Sequence, residues 1–199
     1  DLRDTLMTAI GQKQAQEDLQ SVRAMDTRLK TLKELQDGYE GYQYAVRNAL
    51  TYARRSGLKG VHDVVAMLLQ VPREYETAMD MALGGAMQNI VCRKDAHAKE
   101  AIRMLKTNKA GRLTFLPMES VKGSAASVPG GVRQHAGYLG IGAELAVYAP
   151  QYQGVFTYLL GRVAIVDNMD SAIALSKIAG SGLRFVTLDG EVIDRKSVV

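Results

Sequence analysis

The first third of the chain carries a helical rhythm. Met25, Leu29, Leu32, Gln36 and Tyr39 step by four, three, four and three residues, the spacing of a coiled-coil seam. Upstream the rhythm continues more poorly through Leu2, Leu6, Ile10, Lys13 and Glu17. Residues 1–36 hold a single glycine and no proline, and helix formers dominate them. The pattern predicts a coiled-coil arm over 1–40; a long amphipathic helix packed on its own domain is the alternative. Residues 41–60 read as a junction helix and turn. There Gly38, Gly41, Gly57 and Gly60 bracket a helix from Tyr42 to Arg55, with Tyr42, Val46, Ala49 and Ala53 on one face. Gly57 suits a helix C-cap, and Arg54 and Arg55 suit the negative end of the helix dipole.

From residue 61 the pattern changes to short apolar runs alternating with amphipathic helices. His62 to Leu69 is an apolar segment ending near Pro72, and Glu74 to Gly84 reads as a helix. Asn89 to Cys92 reads as a strand, Asp95 to Lys109 as an amphipathic helix closed by Gly111, and Leu113 to Leu116 as a strand stopped by Pro117. Residues 119–137 are loop-like. The order then recurs: helix Tyr152 to Gly161, strand Val163 to Val166, helix Ser171 to Ala179, strand Phe185 to Leu188. Ala101-Ile102 of the first series corresponds in this reading to Ala172-Ile173 of the second. A period of about 77 residues is too long for a solenoid. The prediction is two similar α/β subdomains, 61–125 and 126–193, with a short tail at 194–199; chance similarity is the alternative.

Composition narrows the function. The longest unbroken apolar run, Val64 to Leu69, is far short of a membrane helix. Cys92 is the only cysteine, which argues against a disulfide scaffold and for a reducing compartment. With three histidines besides, a structural zinc site lacks ligands. The chain opens on Asp1, with no basic and apolar leader, which suggests a fragment or a processed chain. The formal charge of +4 is modest, but it is concentrated: Arg47, Arg54, Arg55 and Lys59 stand among residues 44–60 without an acid. Residues 93–112 hold seven basic side chains against Asp95 and Glu100, with Lys99, Arg103 and Lys106 on one helix face. Such groups neutralise phosphates without reading sequence, or simply form a solvated face.

Catalytic patterns are missing. No phosphate-binding loop of the G-x-x-x-x-G-K-[ST] type and no G-x-S-x-G elbow occurs. Gly137, Gly140 and Gly142 give G-x-x-G-x-G, which is not the dinucleotide fingerprint and suits a turn before a strand. His62 beside Asp63 reads as a junction or capping pair rather than an acid–base pair, and His97 as a surface residue. Cys92 beside Arg93 and Lys94 reads as a small buried side chain rather than a reactive thiol. No metal, cofactor or catalytic residue is expected.

Over residues 58–123 and 137–193 the chain resembles the hinge domain of structural maintenance of chromosomes (SMC) proteins of the bacterial type. The resemblance is carried by Gly60-Val61-His62-Asp63-Val64-Val65-Ala66 and Val71-Pro72-Arg73-Glu74-Tyr75-Glu76-Thr77-Ala78, then by the run Ala82 to Val91. Gly111-Arg112-Leu113-Thr114-Phe115-Leu116-Pro117 is its strongest piece, followed by Tyr158 to Val163 and Val186-Thr187-Leu188-Asp189-Gly190. It implies a pair of α/β subdomains between an outgoing and a returning coiled-coil arm. It also implies a homodimer through the hinge, DNA as a partner, and a cytoplasmic, nucleoid-associated setting for chromosome condensation and segregation. The ATP-binding head and the kleisin-type subunits are expected elsewhere in the full-length protein, and the returning arm is not in this sequence. The family's glycine-rich run after the last strand is replaced here by Asp194-Arg195-Lys196-Ser197-Val198-Val199.

On this reading the chain is a non-enzymatic dimerisation module with non-specific DNA affinity. The dimer contact is placed on Leu113, Thr114 and Phe115 and on Thr187, Leu188, Asp189 and Gly190. The DNA contact is placed on Arg54, Arg55 and Lys59, near the hinge–coil junction. Two alternatives stand beside it: a module that dimerises without DNA affinity, and a nucleotide-binding α/β domain using the Gly137 to Gly142 turn.

Overall fold

A computed structural model describes residues 1–194, 197 and 198, without the side chains of 31, 32, 34–42, 197 and 198. The seam positions Leu32, Gln36 and Tyr39 and most of the tail 194–199 therefore lie outside the described side chains. The chain divides into two compact units, Asp1–Tyr44 and Ala45–Val199.

The first unit is helical and forms most of α1 (Leu2–Arg55). The described apolar seam positions Leu6, Ile10, Met25 and Leu29 are all more than half exposed, so among the described residues this seam buries little within the unit. Local side-chain bonds decorate it, such as Thr8 to the Asp4 carbonyl at 2.9 Å and Gln14 to Asp18 at 3.0 Å. Gly38 and Gly41, read in the sequence as the border of a separate junction helix, lie inside α1. Two glycines cost a helix only about 2 kcal/mol together, too little to end one that is otherwise well formed.

The second unit opens with the last turns of α1, where Ala45, Ala49 and Ala53 are buried at a four-residue spacing. The helix closes as the sequence predicts. Gly57 takes a φ of 69°, and the Leu58 amide reaches back to the Ala53 carbonyl at 2.9 Å. Then come β1 (Val61–Val64), α2 (Val65–Leu68), β2 (Leu69–Gln70), α3 (Glu76–Leu83), β3 (Ile90–Cys92), α4 (Asp95–Thr107) and β4 (Phe115–Pro117). After α5 (Gly130–Arg133) the series repeats as β5 (Tyr138–Ile141), α6 (Gly142–Leu145), β6 (Val147–Tyr148), α7 (Gln153–Leu160), β7 (Val163–Val166), α8 (Met169–Ala179) and β8 (Arg184–Thr187). Two strands are added, β9 (Val192–Asp194) and β10 (Ser197–Val198).

The two series share a topology. In the first sheet, of order β1-β3-β4, β1 is antiparallel to β3 and β3 parallel to β4. In the second, of order β10-β9-β8-β7-β5, β5 is antiparallel to β7 and β7 parallel to β8. β2 and β6 pair antiparallel and join the halves (Leu69↔Tyr148, Gln70↔Val147). The repeat is longer than the sequence indicates, because each half begins with a strand, a one-turn helix and a two-residue strand. The helix register also differs. The N-caps Lys94 and Asn168 align Ala98 with Ala172 and Ala101 with Leu175, all buried, rather than Ala101 with Ala172. Packing toward the sheet fixes this register; the dipeptide likeness was coincidental.

The core explains the apolar strands. Val91 and Leu116 face a large cluster shared with α3, α7 and the second sheet. Ile90, Cys92 and Phe115 face a smaller cluster formed with Ala49 of α1 and Ala98, Ala101, Met104 and Leu105 of α4. The first sheet is thus covered on both faces, as a parallel pair requires. Two local expectations are corrected. α4 is closed by Lys109 at φ 49° with the Ala110 amide on the Leu105 carbonyl at 2.9 Å, two residues before Gly111. The segment 119–137 holds α5 and is tied down: the Gly123 amide donates to the Gly154 carbonyl at 3.1 Å, and that of Ala126 to the Gly161 carbonyl at 3.2 Å.

Candidate functional site: the base of helix α1 and the free sheet edge

The C-terminal turn of α1 and the turn after it form a pocket of about 290 Å³. Leu50, Ala53 and Leu58 supply apolar walls, and Arg54, Lys59 and His62 supply polar ones. Local sequence dictates this. The Gly57 turn reverses the chain so that Lys59 returns toward the helix end carrying Arg54. Arg54, Arg55 and Lys59 are all exposed, and none joins an ion pair among the described residues. The structure brings Arg54 and Lys59 together at one opening. Arg55 is exposed on the same turn but does not line it.

His62 is held by a partner 90 residues away in the chain. Its Nδ1 lies 2.7 Å from the Tyr152 hydroxyl, with the rings edge to face. Burial, helped by Arg93 and His97, holds the imidazole below its ordinary pKa. The neutral ring shares this hydrogen bond with Tyr152 across the two halves of the repeat. The neighbouring Asp63 is spent locally, its Oδ1 accepting from the Val64 amide at 2.8 Å. His97, expected at the surface, is half-buried; its Nδ1 accepts from the Lys94 amide at 3.3 Å, and its ring packs on Gly60. Cys92 is fully buried, and burial together with Asp95 pushes its thiol up to about 11, which leaves it unreactive.

The other sequence-derived residues lie on two different sheets. Leu113 and Thr114 precede β4 and Phe115 begins it. β4 is an edge: the Thr114 carbonyl accepts from the Ile90 amide, and the Met118 amide donates to the Cys92 carbonyl. Alternation along a parallel strand then turns the Phe115 N–H and C=O outward. Pro117, which has no N–H to leave unpaired, also suits an edge. The Phe115 side chain is buried under α4, so only its backbone is presented. Thr187 ends β8, an interior strand flanked by β7 and β9; its amide donates to the Glu191 carbonyl and its hydroxyl bonds Glu191 Oε2. Leu188, Asp189 and Gly190 form the turn into β9, with Asp189 exposed and Gly190 buried. The backbone of β8 is thus already paired where that of β4 is not.

Gly137, Gly140 and Gly142 are absorbed by packing. Gly137 sits against Ser171 and Asp167, Gly140 against Leu145 and Gly142 against Leu160. Among the described residues no group of three metal-ligating side chains occurs, and no helix is long and apolar enough to cross a membrane.

Comparison with known proteins agrees with this geometry. A family model described as the flexible hinge domain of SMC proteins matches residues 58–176. The chromosome partition protein Smc of Desulfitobacterium hafniense is 37% identical over 186 residues, covering 92% of this chain and 15% of the relative. That of Bacillus subtilis is 32% identical over 183 residues, 91% of this chain and 15% of the relative. The chain spans about 15% of the length of these curated relatives. Among solved structures, the Geobacillus stearothermophilus SMC hinge domain, crystallised as an asymmetric dimer, superposes with a TM-score of 0.71 at 38% identity. It covers 85% of this chain and 67% of that one. The Pyrococcus furiosus Smc hinge domain with an extended coiled coil gives 0.64 at 28% identity, covering 79% and 53%. With the family match spanning more than half of its residues, this chain belongs to the SMC flexible hinge domain family.

Proposed function

We propose that this chain is the dimerising hinge of a chromosome-partitioning SMC protein and that it holds DNA non-specifically at the base of α1. The observation that carries the dimer is the unpaired edge of β4, whose counterpart β8 is covered by β9. An exposed strand edge is a template for another chain. β4 of one protomer pairs with the β10 edge of its partner, and a twofold axis makes the contact twice and closes the assembly. This fuses a three-stranded with a five-stranded sheet on each side. It uses Leu113, Thr114 and Phe115 as interface backbone, whereas Thr187 to Gly190 hold β8 and β9 in place to offer the far edge. The Geobacillus hinge crystallised as an asymmetric dimer, which supports self-association of this domain but not the twofold pairing itself. The module carries out no chemistry of its own. ATP binding belongs to the rest of the polypeptide, and the setting is the cytoplasmic nucleoid.

For DNA, Arg54 and Lys59 converge at one opening, with Arg55 beside them, and no acid pairs with them among the described residues. This is a phosphate-neutralising arrangement without base readout.

Sedimentation across a concentration series tests the dimer. A species of twice 21.7 kDa that persists on dilution is expected, and a monomer throughout overturns it. A low-salt gel shift tests DNA: Arg54→Glu with Arg55→Glu should weaken binding while the circular dichroism spectrum is kept. Unchanged binding removes these residues from the site. A wild-type dimer that binds neither single- nor double-stranded DNA would leave a dimerisation-only hinge.

A further inference from the structure

The second basic segment of the chain is not absorbed by this reading. α4 buries Ala98, Ala101, Met104 and Leu105 against the first sheet and turns Lys99, Ile102, Arg103 and Lys106 outward. On that outer side lies a shallow groove of about 470 Å³, lined by Asp95, Ala98, Lys99, Ile102, Arg103 and Lys106. Its floor is apolar, because Ile102, 37% exposed, lies among the aliphatic stems of Lys99, Arg103 and Lys106. Its flank is cationic: Lys99, Arg103 and Lys106 step by four and three residues and follow one line along the helix. Arg103 pairs with Glu100 at 3.1 Å, while Lys99 and Lys106 are in no ion pair among the described residues. Asp95 stands at the other end of the groove, its carboxylate accepting from the Ser120 hydroxyl at 2.6 Å.

The fold does not require this surface. On the equivalent helix α8, aligned by the N-caps, the positions of Lys99, Ile102, Arg103 and Lys106 are taken by Ile173, Ser176, Lys177 and Gly180. α8 packs on its own sheet with one cation there where α4 carries three. The excess charge beside an apolar strip is particular to α4.

We propose that the outer face of α4 is a docking site for an acidic amphipathic helix of a partner protein. Charge complementarity and the apolar floor together select this occupant. A nucleic-acid backbone would satisfy the three cations but would leave Ile102 facing phosphates and sugars. A helix with an apolar residue in each turn and Asp or Glu beside it satisfies both. Its apolar side chains seat on Ile102 and the aliphatic stems of the cations beside it, and its carboxylates meet Lys99, Arg103 and Lys106 at the same four–three spacing.

The probe is a fluorescein-labelled helical peptide of three heptads, with leucine at the a and d positions and glutamate at e and g. A peptide of the same composition in scrambled order is its control, and anisotropy is read at low and physiological salt. The expected result is saturable binding of the patterned peptide alone. Lys99→Gln with Lys106→Gln should weaken it about tenfold, as loss of two charge pairs implies, and Ile102→Ser should weaken it with the charge intact. All three positions are exposed, and circular dichroism checks the fold of each variant. Equal binding of the scrambled peptide, or indifference to Ile102→Ser, overturns the proposal and leaves a charged face only. A duplex oligonucleotide that displaces the peptide, and whose own binding falls in the Lys99→Gln/Lys106→Gln variant, also overturns it and assigns the face to DNA. The Arg54→Glu/Arg55→Glu variant separates the two sites, because it should lose DNA and keep the peptide.

Discussion

The Tyr52 hydroxyl donates a 2.9 Å hydrogen bond to Glu100 Oε1, which also accepts from Arg103 Nη2 at 3.1 Å. One carboxylate oxygen thus ties the last turns of α1 to the outer face of α4. Each member feels the others. The Arg103 and Tyr52 bonds hold Glu100 below its ordinary pKa, and the bond to Glu100 raises that of Tyr52. Tyr52→Phe and Glu100→Gln should each lower Tm slightly at pH 7, the tyrosine change through the tie between the two helices. Because the folded pKa of Glu100 is depressed, its contribution is fully present above the ordinary carboxylate range and is lost as pH falls through the folded value. The Tm gap between wild type and Glu100→Gln should therefore narrow as pH falls below the ordinary carboxylate range. A gap that persists there would show that the carboxylate charge is not what stabilises.

His62 and Tyr152 give the second unit another tie, between the two halves of the repeat. Tyr152→Phe removes the hydroxyl and leaves the His62 Nδ1 half-buried without its partner, a cost of about 1 kcal/mol. The folded pKa of His62 lies below 6.5, so the unfolded chain takes up its proton first as pH falls. Stability from the neutral ring is complete above about 6.5 and declines below it. Denaturant melts between pH 5.5 and 7.5 should show wild type losing stability toward the acid side. His62→Gln should flatten that slope, and an unchanged slope would assign it to other groups.

The two-subdomain plan was legible in the sequence because each half buries its strands on both faces, which forces apolar runs such as Val163 to Val166. Helix ends were legible where glycine takes a positive φ, as at Gly57, and misread where Lys109 does the same work near Gly111. The short segments β1, α2 and β2 escaped, since four-residue elements have no periodicity to read. Of the candidate site, the charge cluster of Arg54, Arg55 and Lys59 was visible as residues 44–60 without an acid. Its pocket was not, because that depends on the turn at Gly57 bringing Lys59 back to the helix end. The partners Tyr152 and Glu100 lie 90 and 48 residues from His62 and Tyr52, and no local signal reports such pairs.

Gly123 marks a constraint on the connection between the halves. A Cβ there would meet the backbone of Tyr158 and Thr157 in α7, which cannot swing aside as a side chain can. Gly123→Ala should cost about 1–3 kcal/mol, as overpacking does. Gly85→Ala is the control, because a Cβ at Gly85 meets nothing within 4 Å. Urea melts should separate the two variants by more than their shared loss of unfolded-state entropy. Equal midpoints would show that the 119–129 segment can lift from α7 at no cost.

Salt dependence gives the sharpest reading of the cations at the base of α1. A contact with a phosphate releases counterions, so the slope of log K against log salt counts such contacts at about 0.9 each on duplex DNA and about 0.7 on single strands. Arg54→Gln with Lys59→Gln removes the two cations that line the pocket, and the duplex slope should flatten by about 1.8. Adding Arg55→Gln should flatten it by about 0.9 more, since a phosphate contact requires exposure and charge, not membership of the pocket. Affinity should fall alike for oligonucleotides of different sequence, because phosphate contacts carry no base readout. If the double variant keeps the wild-type slope, DNA held by this hinge lies elsewhere. If only the Arg55 change moves it, the backbone runs along the outside of α1 and the pocket serves another purpose.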